Sequence, residues 1–356
     1  MKILKYINKI LPFKKQKLKL NEIKSVLVVS NTGFGDTLLS TPSIKTLRKS
    51  FPKLDITFLV NHNFYTLFEG FEYVNRIVKY KKGLLNQLKI ISKLRDYKVD
   101  VIFLFHSNGP EDIFFSKLSG TKHILKMTHN NNHEYKNIFL NNPVLIEQHD
   151  IENRLDLVRI LNPKIVDTCM EIPKMFYNDN NFFKDTSKRY IAFQMGAQDT
   201  FKMWPVSKFI ALANKIHHLD DNIDIVILGA TKYEQELTTE FISKIDKKDR
   251  IYNLCAVTKI ELLPKVLNSC DLLITNDTGT MHLAIALKKQ TICLFGPTNS
   301  KLFGPYQNLN LHSVIHKDVI IDTSDFNKKN WSQETMNEIS LDEVFSKVLE
   351  RIEEKS

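Results

Sequence analysis

Four short stretches of this 356-residue chain gather the residue types that bind anions or move protons. The first is Asn31-Thr32-Gly33-Phe34-Gly35-Asp36. Its two glycines let the backbone turn tightly and approach a ligand, and Asp36 stands where a helix would start. A carboxylate there either caps the helix or serves as a general base. The stretch is not a dinucleotide fingerprint, because Leu38 occupies the third glycine position of GxGxxG. The second stretch, Gln194 to Pro205, carries Gln198 and Lys202 ahead of a helix start. Exposed N–H groups plus a lysine there suit a diphosphate. In the third, Leu228-Gly229-Ala230-Thr231-Lys232-Tyr233-Glu234, Glu234 could accept from ribose hydroxyls or simply suit the helix dipole. The fourth, Asn276-Asp277-Thr278-Gly279-Thr280-Met281-His282, is the densest. The N–H groups of Thr278 and Gly279 can point at a phosphate, Asp277 can take a hydroxyl, and His282 lies one turn into the helix.

All four stretches follow apolar runs of strand length. Ser25–Ser30 (SVLVVS), Asp55–Val60 (DITFLV) and Asp100–Phe105 (DVIFLF) alternate with amphipathic segments at Thr37–Lys49 and Leu84–Arg95. The grammar restarts after residue 188. Arg189–Gln194, Asn222–Leu228, Asp271–Thr275 and Thr291–Phe295 read as strands; Pro205–His217, Lys232–Ile245, Leu262–Asn268, Gly279–Leu287 and Leu341–Glu354 read as helices. Continuous apolar strands between amphipathic helices predict mostly parallel sheets covered on both faces. The expected organisation is a basic extension (1–24), a first doubly wound domain (25–170), a linker (171–188), a second such domain (189–340) and a closing helix (341–356). Ligands of such sheets bind at the carboxyl ends of the strands, where the four stretches fall.

Composition narrows the function classes. With 43% apolar and 25% charged residues, the chain is neither a disordered tail nor a small disulfide-stapled module. No apolar run reaches the ~20 residues of a membrane span. Cys169, Cys255, Cys270 and Cys293 have neither CxxC spacing nor a histidine cluster, which argues against a zinc site or disulfide framework and fits a reducing cytoplasm. The net charge of +10 is lopsided: residues 1–170 hold 27 basic against 15 acidic groups, and the remainder 23 against 25. The excess points to an anionic partner for the first half. Met1–Leu20 spaces Ile3, Leu4, Ile7, Ile10 and Leu11 helically among lysines, as a short basic helix on an anionic membrane surface would. A nucleic-acid partner is not expected, since no nucleic-acid-binding motif is present.

Three strings carry a family resemblance: SVLVVSNTGFGDTLLSTPSIKTLRKSFP, QMGAQDTFKMWP and NDTGTMHLAIALKKQTICLFGPT. Together they resemble the family-nine glycosyltransferases, the ADP-heptose:lipopolysaccharide heptosyltransferases, from about Ser25 to Tyr306. The resemblance implies a GT-B architecture, two Rossmann-like domains facing a cleft, with the acceptor in the first and the nucleotide sugar in the second. It implies inversion at the anomeric carbon without a metal or other cofactor. By match to the family motifs, Asp36 would be the base and Lys202 would contact the donor phosphates. Glu234 would hold the ribose, Asp277 the donor sugar, and Thr278 and Gly279 the phosphates, with His282 nearby. Gln198 stands on the donor-phosphate loop where some heptosyltransferases have Thr. The acceptor would be an anionic lipopolysaccharide-type molecule, with Gly35, His106, Asn108 and Arg154 as candidate contacts. A cytoplasmic enzyme, peripheral at the inner membrane, is expected. A sugar-nucleotide epimerase of the same shape, or a transferase of another sugar, is the alternative.

Overall fold

The computed structural model describes residues 18–105, 110–126, 147–177, 181–317 and 333–353. His106, Asn108 and residues 1–17 of the basic extension lie outside the described residues. The chain divides into two compact units at Pro173/Lys174, inside the expected linker stretch.

Unit 1 holds a five-stranded sheet of β1 (Ser25–Ser30), β2 (Asp55–Asn61), β3 (Arg76–Tyr80), β4 (Val101–Leu104) and β5 (His123–Lys126), in the order β3-β2-β1-β4-β5. Every pairing is parallel. All six residues of β1 are buried, as a central strand covered on both faces requires. Leu27, Val29, Leu59, Ile102 and Leu104 meet Ile90, Ile91 and Leu94 of the Leu84–Tyr97 helix in one core.

Unit 2 repeats the plan with one more strand. Its parallel sheet of β6 (Arg189–Gln194), β7 (Ile223–Leu228), β8 (Ile251–Asn253), β9 (Leu272–Asn276), β10 (Thr291–Phe295) and β11 (His312–His316) has the order β11-β10-β9-β6-β7-β8. Its core gathers Phe193, Trp204, Phe209, Ile225, Phe241, Ile274 and Leu294. The closing helix, Leu341–Glu353, buries Val344 and Val348 in that same core.

Counted within each unit, the first sheet runs 3-2-1-4-5 and the second 3-2-1-4-5-6, the doubly wound order. The order reverses direction between β1 and β4, and again between β6 and β9. Crossover helices leave to opposite faces at these two points, so the loops there part and open a crevice. Asp36 follows β1, Lys202 follows β6 and Asp277 follows β9, so the topology alone delivers them to the two switch points.

Candidate functional site

In unit 1 the first helix runs Phe34–Ser50 and so begins three residues before the expected Thr37. Gly33, in extended conformation, is its N-cap. Asp36 is therefore a first-turn residue rather than the cap, and its Oδ2 accepts from the Gly33 N–H at 3.2 Å and the Thr32 hydroxyl at 3.0 Å. The loop carrying it is pinned from both sides. Asn61, at the end of β2, donates to the carbonyls of Asn31 and Thr32, and the Asn31 amide donates to Asp112 at 2.6 Å.

The other Asp36 oxygen faces a buried cation. Arg154, on the helix Asp150–Arg159, places Nη2 3.3 Å from Oδ1 of Asp36 and Nη1 2.7 Å from Asp150. Its side chain is 1% exposed, whereas that of Asp36 is 25% exposed. Arg154 therefore reaches Asp36 from beneath, and Gly35 lies half-buried beside them in the first helical turn. Lys45, one face further along the first helix, is buried between Asp167 and Glu171 and ties the end of unit 1 to that helix.

In unit 2 the three loops are cross-linked. Lys202 closes a 3-10 turn (Thr200–Lys202), and its Nζ lies 2.6 Å from Oδ2 of Asp277. Their side chains are 20% and 7% exposed, so the ammonium keeps an open side while the carboxylate is nearly enclosed. Thr278 caps the helix Gly279–Ala286, its hydroxyl accepting from the Met281 N–H. The free N–H groups of that first turn carry the positive end of the helix dipole beside the Lys202 ammonium. His282 is buried on the same helix, and Gln198 is exposed on the Lys202 loop.

Glu234 belongs to a capping box on the helix Lys232–Lys244. Its Oε2 accepts from the N–H groups of Ala230 and Thr231 and from the Thr231 hydroxyl, each at 2.8 Å. Oε1 accepts from the Gln194 amide at 2.6 Å and is the oxygen with a lone pair to spare for a ligand hydroxyl. Two glycines make room for this carboxylate. A Cβ at Gly196 would collide with Cγ and Oε1 of Glu234, and one at Gly229 would sit 2.9 Å from its Cβ and 2.8 Å from Cys255 Sγ. Burial pushes the Cys255 thiol up, so it stays neutral behind the carboxylate.

Two connectors, Gln194 and Asn276, were present in the strings but carried no assigned role. Gln194 donates to Glu234 and accepts from the Thr280 hydroxyl at 3.1 Å, joining the loops after β7 and β9. Asn276, fully buried, accepts from the Trp204 N–H at 3.0 Å and donates to the Met195 carbonyl at 2.7 Å. Polar residues that end otherwise apolar strands were the available signal. The structure thus joins Lys202 to Asp277 directly and brings Glu234 to the Thr280 turn through Gln194. Asp220-Asp221 precedes β7 at the amino edge of the sheet, where Asp221 pairs with Lys247 and Arg250. No group of three metal-ligating side chains occurs among the described residues.

Comparison with known proteins gives the chain its relatives. The sequence profile of Glycosyltransferase family 9 (heptosyltransferase) matches residues 119–319. Over 293 residues the chain is 30% identical to lipooligosaccharide heptosyltransferase 2 of Campylobacter jejuni, spanning 81% of this chain and 85% of that protein. The solved structure of Escherichia coli ADP-heptose lps heptosyltransferase II superposes with a TM-score of 0.76 at 18% identity, covering 93% of this chain and all of that one. A family 9 glycosyltransferase from Veillonella parvula superposes at 0.79 with 19% identity, covering 96% and 100%. At those identities the structures show a shared fold. The profile spans more than half of the chain and the Campylobacter protein aligns along most of it, so the chain belongs to glycosyltransferase family 9.

Proposed function

We propose that this protein transfers a heptose from ADP-heptose to a hydroxyl of the lipopolysaccharide inner core, with inversion and without a metal. The observation that carries the reading is the Lys202–Asp277 pair at the N-terminus of the Gly279–Ala286 helix, a cation and a carboxylate side by side where a diphosphate sugar needs both. The relatives bearing heptosyltransferase names, one of them titled for ADP-heptose, support the choice of donor.

The reaction moves one proton and exchanges one bond. Asp36 takes the proton of the acceptor hydroxyl as its oxygen attacks the anomeric carbon. The bond from that carbon to the donor phosphate breaks, and the electron pair leaves on ADP. Lys202 and the N–H groups of Thr278 and Gly279 stabilise the charge that develops there. Asp277 holds a hydroxyl of the sugar, and Oε1 of Glu234 a ribose hydroxyl. Arg154 is assigned to hold Asp36 from below rather than to touch the acceptor, because its side chain is enclosed. The acceptor's phosphates suit the basic excess of the first half, and peripheral contact with an anionic membrane belongs to the same reading. Among the described residues no helix is long and apolar enough to cross a membrane.

The test is ADP release with ADP-heptose, UDP-sugars and GDP-sugars, with and without acceptor and with and without EDTA. We expect acceptor-dependent release from ADP-heptose alone, insensitive to EDTA. Asp36→Asn should cut turnover by about 10²–10⁴ while leaving donor affinity within a factor of about two. Isomerised donor without acceptor would favour an epimerase; a smaller than tenfold loss in Asp36→Asn would remove the base.

A further inference from the structure

We propose that a basic, leucine-tipped face of unit 1 docks this protein on an anionic lipid bilayer. The face lies at the start of the Leu84–Tyr97 helix, where Leu84, Leu85 and Leu88 are 67%, 75% and 48% exposed. Leu88 and Leu84 continue, one and two turns ahead, the stripe that Ile91 buries in the core, yet they stay exposed, so the apolar stripe of this helix runs on past the core at its first two turns. Three neighbouring leucines in water are an unusual cost for a surface helix, and such a patch marks a binding face.

The surrounding charge says what it binds. Residues 79–98 contain seven cations, Lys79, Lys81, Lys82, Lys89, Lys93, Arg95 and Lys98, against the single anion Asp96. All seven are exposed, and Lys81, Lys82 and Lys89 immediately flank the leucines. An apolar tip ringed by lysines matches an anionic bilayer, where leucines enter the acyl boundary and lysines meet the lipid phosphates.

Position within the unit adds a reason. The helix leaves from the carboxyl end of β3, two strands from β1 in the same sheet, and the Asp36 loop leaves β1 at that same end. Two strand spacings are about 10 Å. Docking through this face holds Asp36 close to the lipid surface, where a lipid-linked acceptor hydroxyl would be presented. The inference rests on the membrane-contact reading above and on neither the sugar nor the base.

Vesicle flotation of the full chain tests it, without donor or acceptor, so that a failed transfer assignment leaves the result intact. Phosphatidylcholine vesicles with phosphatidylglycerol should bind the protein, and pure phosphatidylcholine should not. The triple variant Leu84→Ser/Leu85→Ser/Leu88→Ser should lose about tenfold or more in partitioning. Lys81→Gln/Lys82→Gln/Lys89→Gln should lose roughly a hundredfold, at about fivefold per lysine. Both variants keep residues 1–17, and their ADP affinity and melting temperature should match the parent. Equal binding by the leucine variant, or no binding of the parent, overturns the proposal. So does a change in oligomeric state, without a change in vesicle binding, in the leucine variant.

Discussion

Asp277→Asn separates two ways a carboxylate beside Lys202 could serve the donor. Either it holds a sugar hydroxyl, or it only aims the ammonium. The two predict different affinities for ADP and ADP-heptose. Asn preserves the shape in a nearly enclosed site but removes the charge. For a phosphate roughly 6 Å away at an effective dielectric of ~20, the removed repulsion is at most about 3 kcal/mol per charge pair. Solvent at the open side of Lys202 leaves about 1 kcal/mol of that, so ADP should bind about fivefold tighter. ADP-heptose gains the same amount but loses a charge-assisted hydrogen bond worth ~1.5–3 kcal/mol. The ratio of the two affinities cancels the shared term and should fall about 10–150-fold. Lys202→Met should weaken both ligands alike and leave the ratio unchanged. Because it strands Asp277 unpaired, it should also cost ~3 kcal/mol and lower the melting temperature of a unit this size by about 6–12 °C. Calorimetry with both ligands on parent and variants reads the ratio directly. If Asp277→Asn weakens ADP as much as ADP-heptose, the carboxylate acts only through Lys202 and its sugar contact is wrong.

Three further outcomes follow from the geometry. Arg154→Met leaves Asp36 and Asp150 without their shared cation, so unit 1 should lose ~2–4 kcal/mol, and kcat should fall with acceptor KM little changed. A raised KM at constant kcat would instead put Arg154 on the acceptor. Gly196→Ala drives a methyl into Glu234 and breaks its link to Gln194; nucleotide affinity should drop about tenfold, with ~1–3 kcal/mol of stability lost, and unaltered affinity would mean Glu234 holds nothing. His217, buried with neither ring nitrogen hydrogen-bonded, is pushed down to about 4 by burial and by Arg250 and Lys247. The unfolded chain therefore takes up its proton first, and stability is lost as pH falls from about 6.5 towards 4, by up to about 3 kcal/mol. His217→Leu should raise the melting temperature more at pH ~5 than at pH ~7; an equal rise at both would show that its protonation is not coupled to folding.

What could be read from the sequence divides along a physical line. The strands expected from continuous apolar runs, such as SVLVVS, DITFLV and the strand within NIDIVIL, are those with neighbours on both sides. The strands not foreseen are β3, β5, β8 and β11, the four edges of the two sheets. Each has at most five residues, and Lys79, Tyr252 and Val314 are exposed on β3, β8 and β11. An edge strand is half-solvated and short, so it lacks the signal that identifies a buried one. The candidate residues could be picked out because they end strands or open helices. Their pairing was not: Arg154 and Asp36 are 118 residues apart, Lys202 and Asp277 are 75 apart, and no local pattern encodes such a contact.

The same topology has produced two unlike sites, and the placement of one cation in each accounts for the difference. In unit 1 the cation is enclosed and shared between Asp36 and Asp150, so the cluster carries a net negative charge with the Asp36 carboxylate partly exposed. That arrangement suits the base proposed for Asp36 and has little to offer an anion. In unit 2 the cation lies on the open side, has three N–H donors and pairs with the carboxylate of Asp277, and a helix N-terminus adds its partial positive charge. Two of those donors remain for phosphate oxygens without the ion pair being given up. In the proposed reaction the switch points of the two sheets thus serve as proton acceptor and anion receptor respectively, and the exposure of one cation at each, 1% for Arg154 and 20% for Lys202, is what separates the two roles.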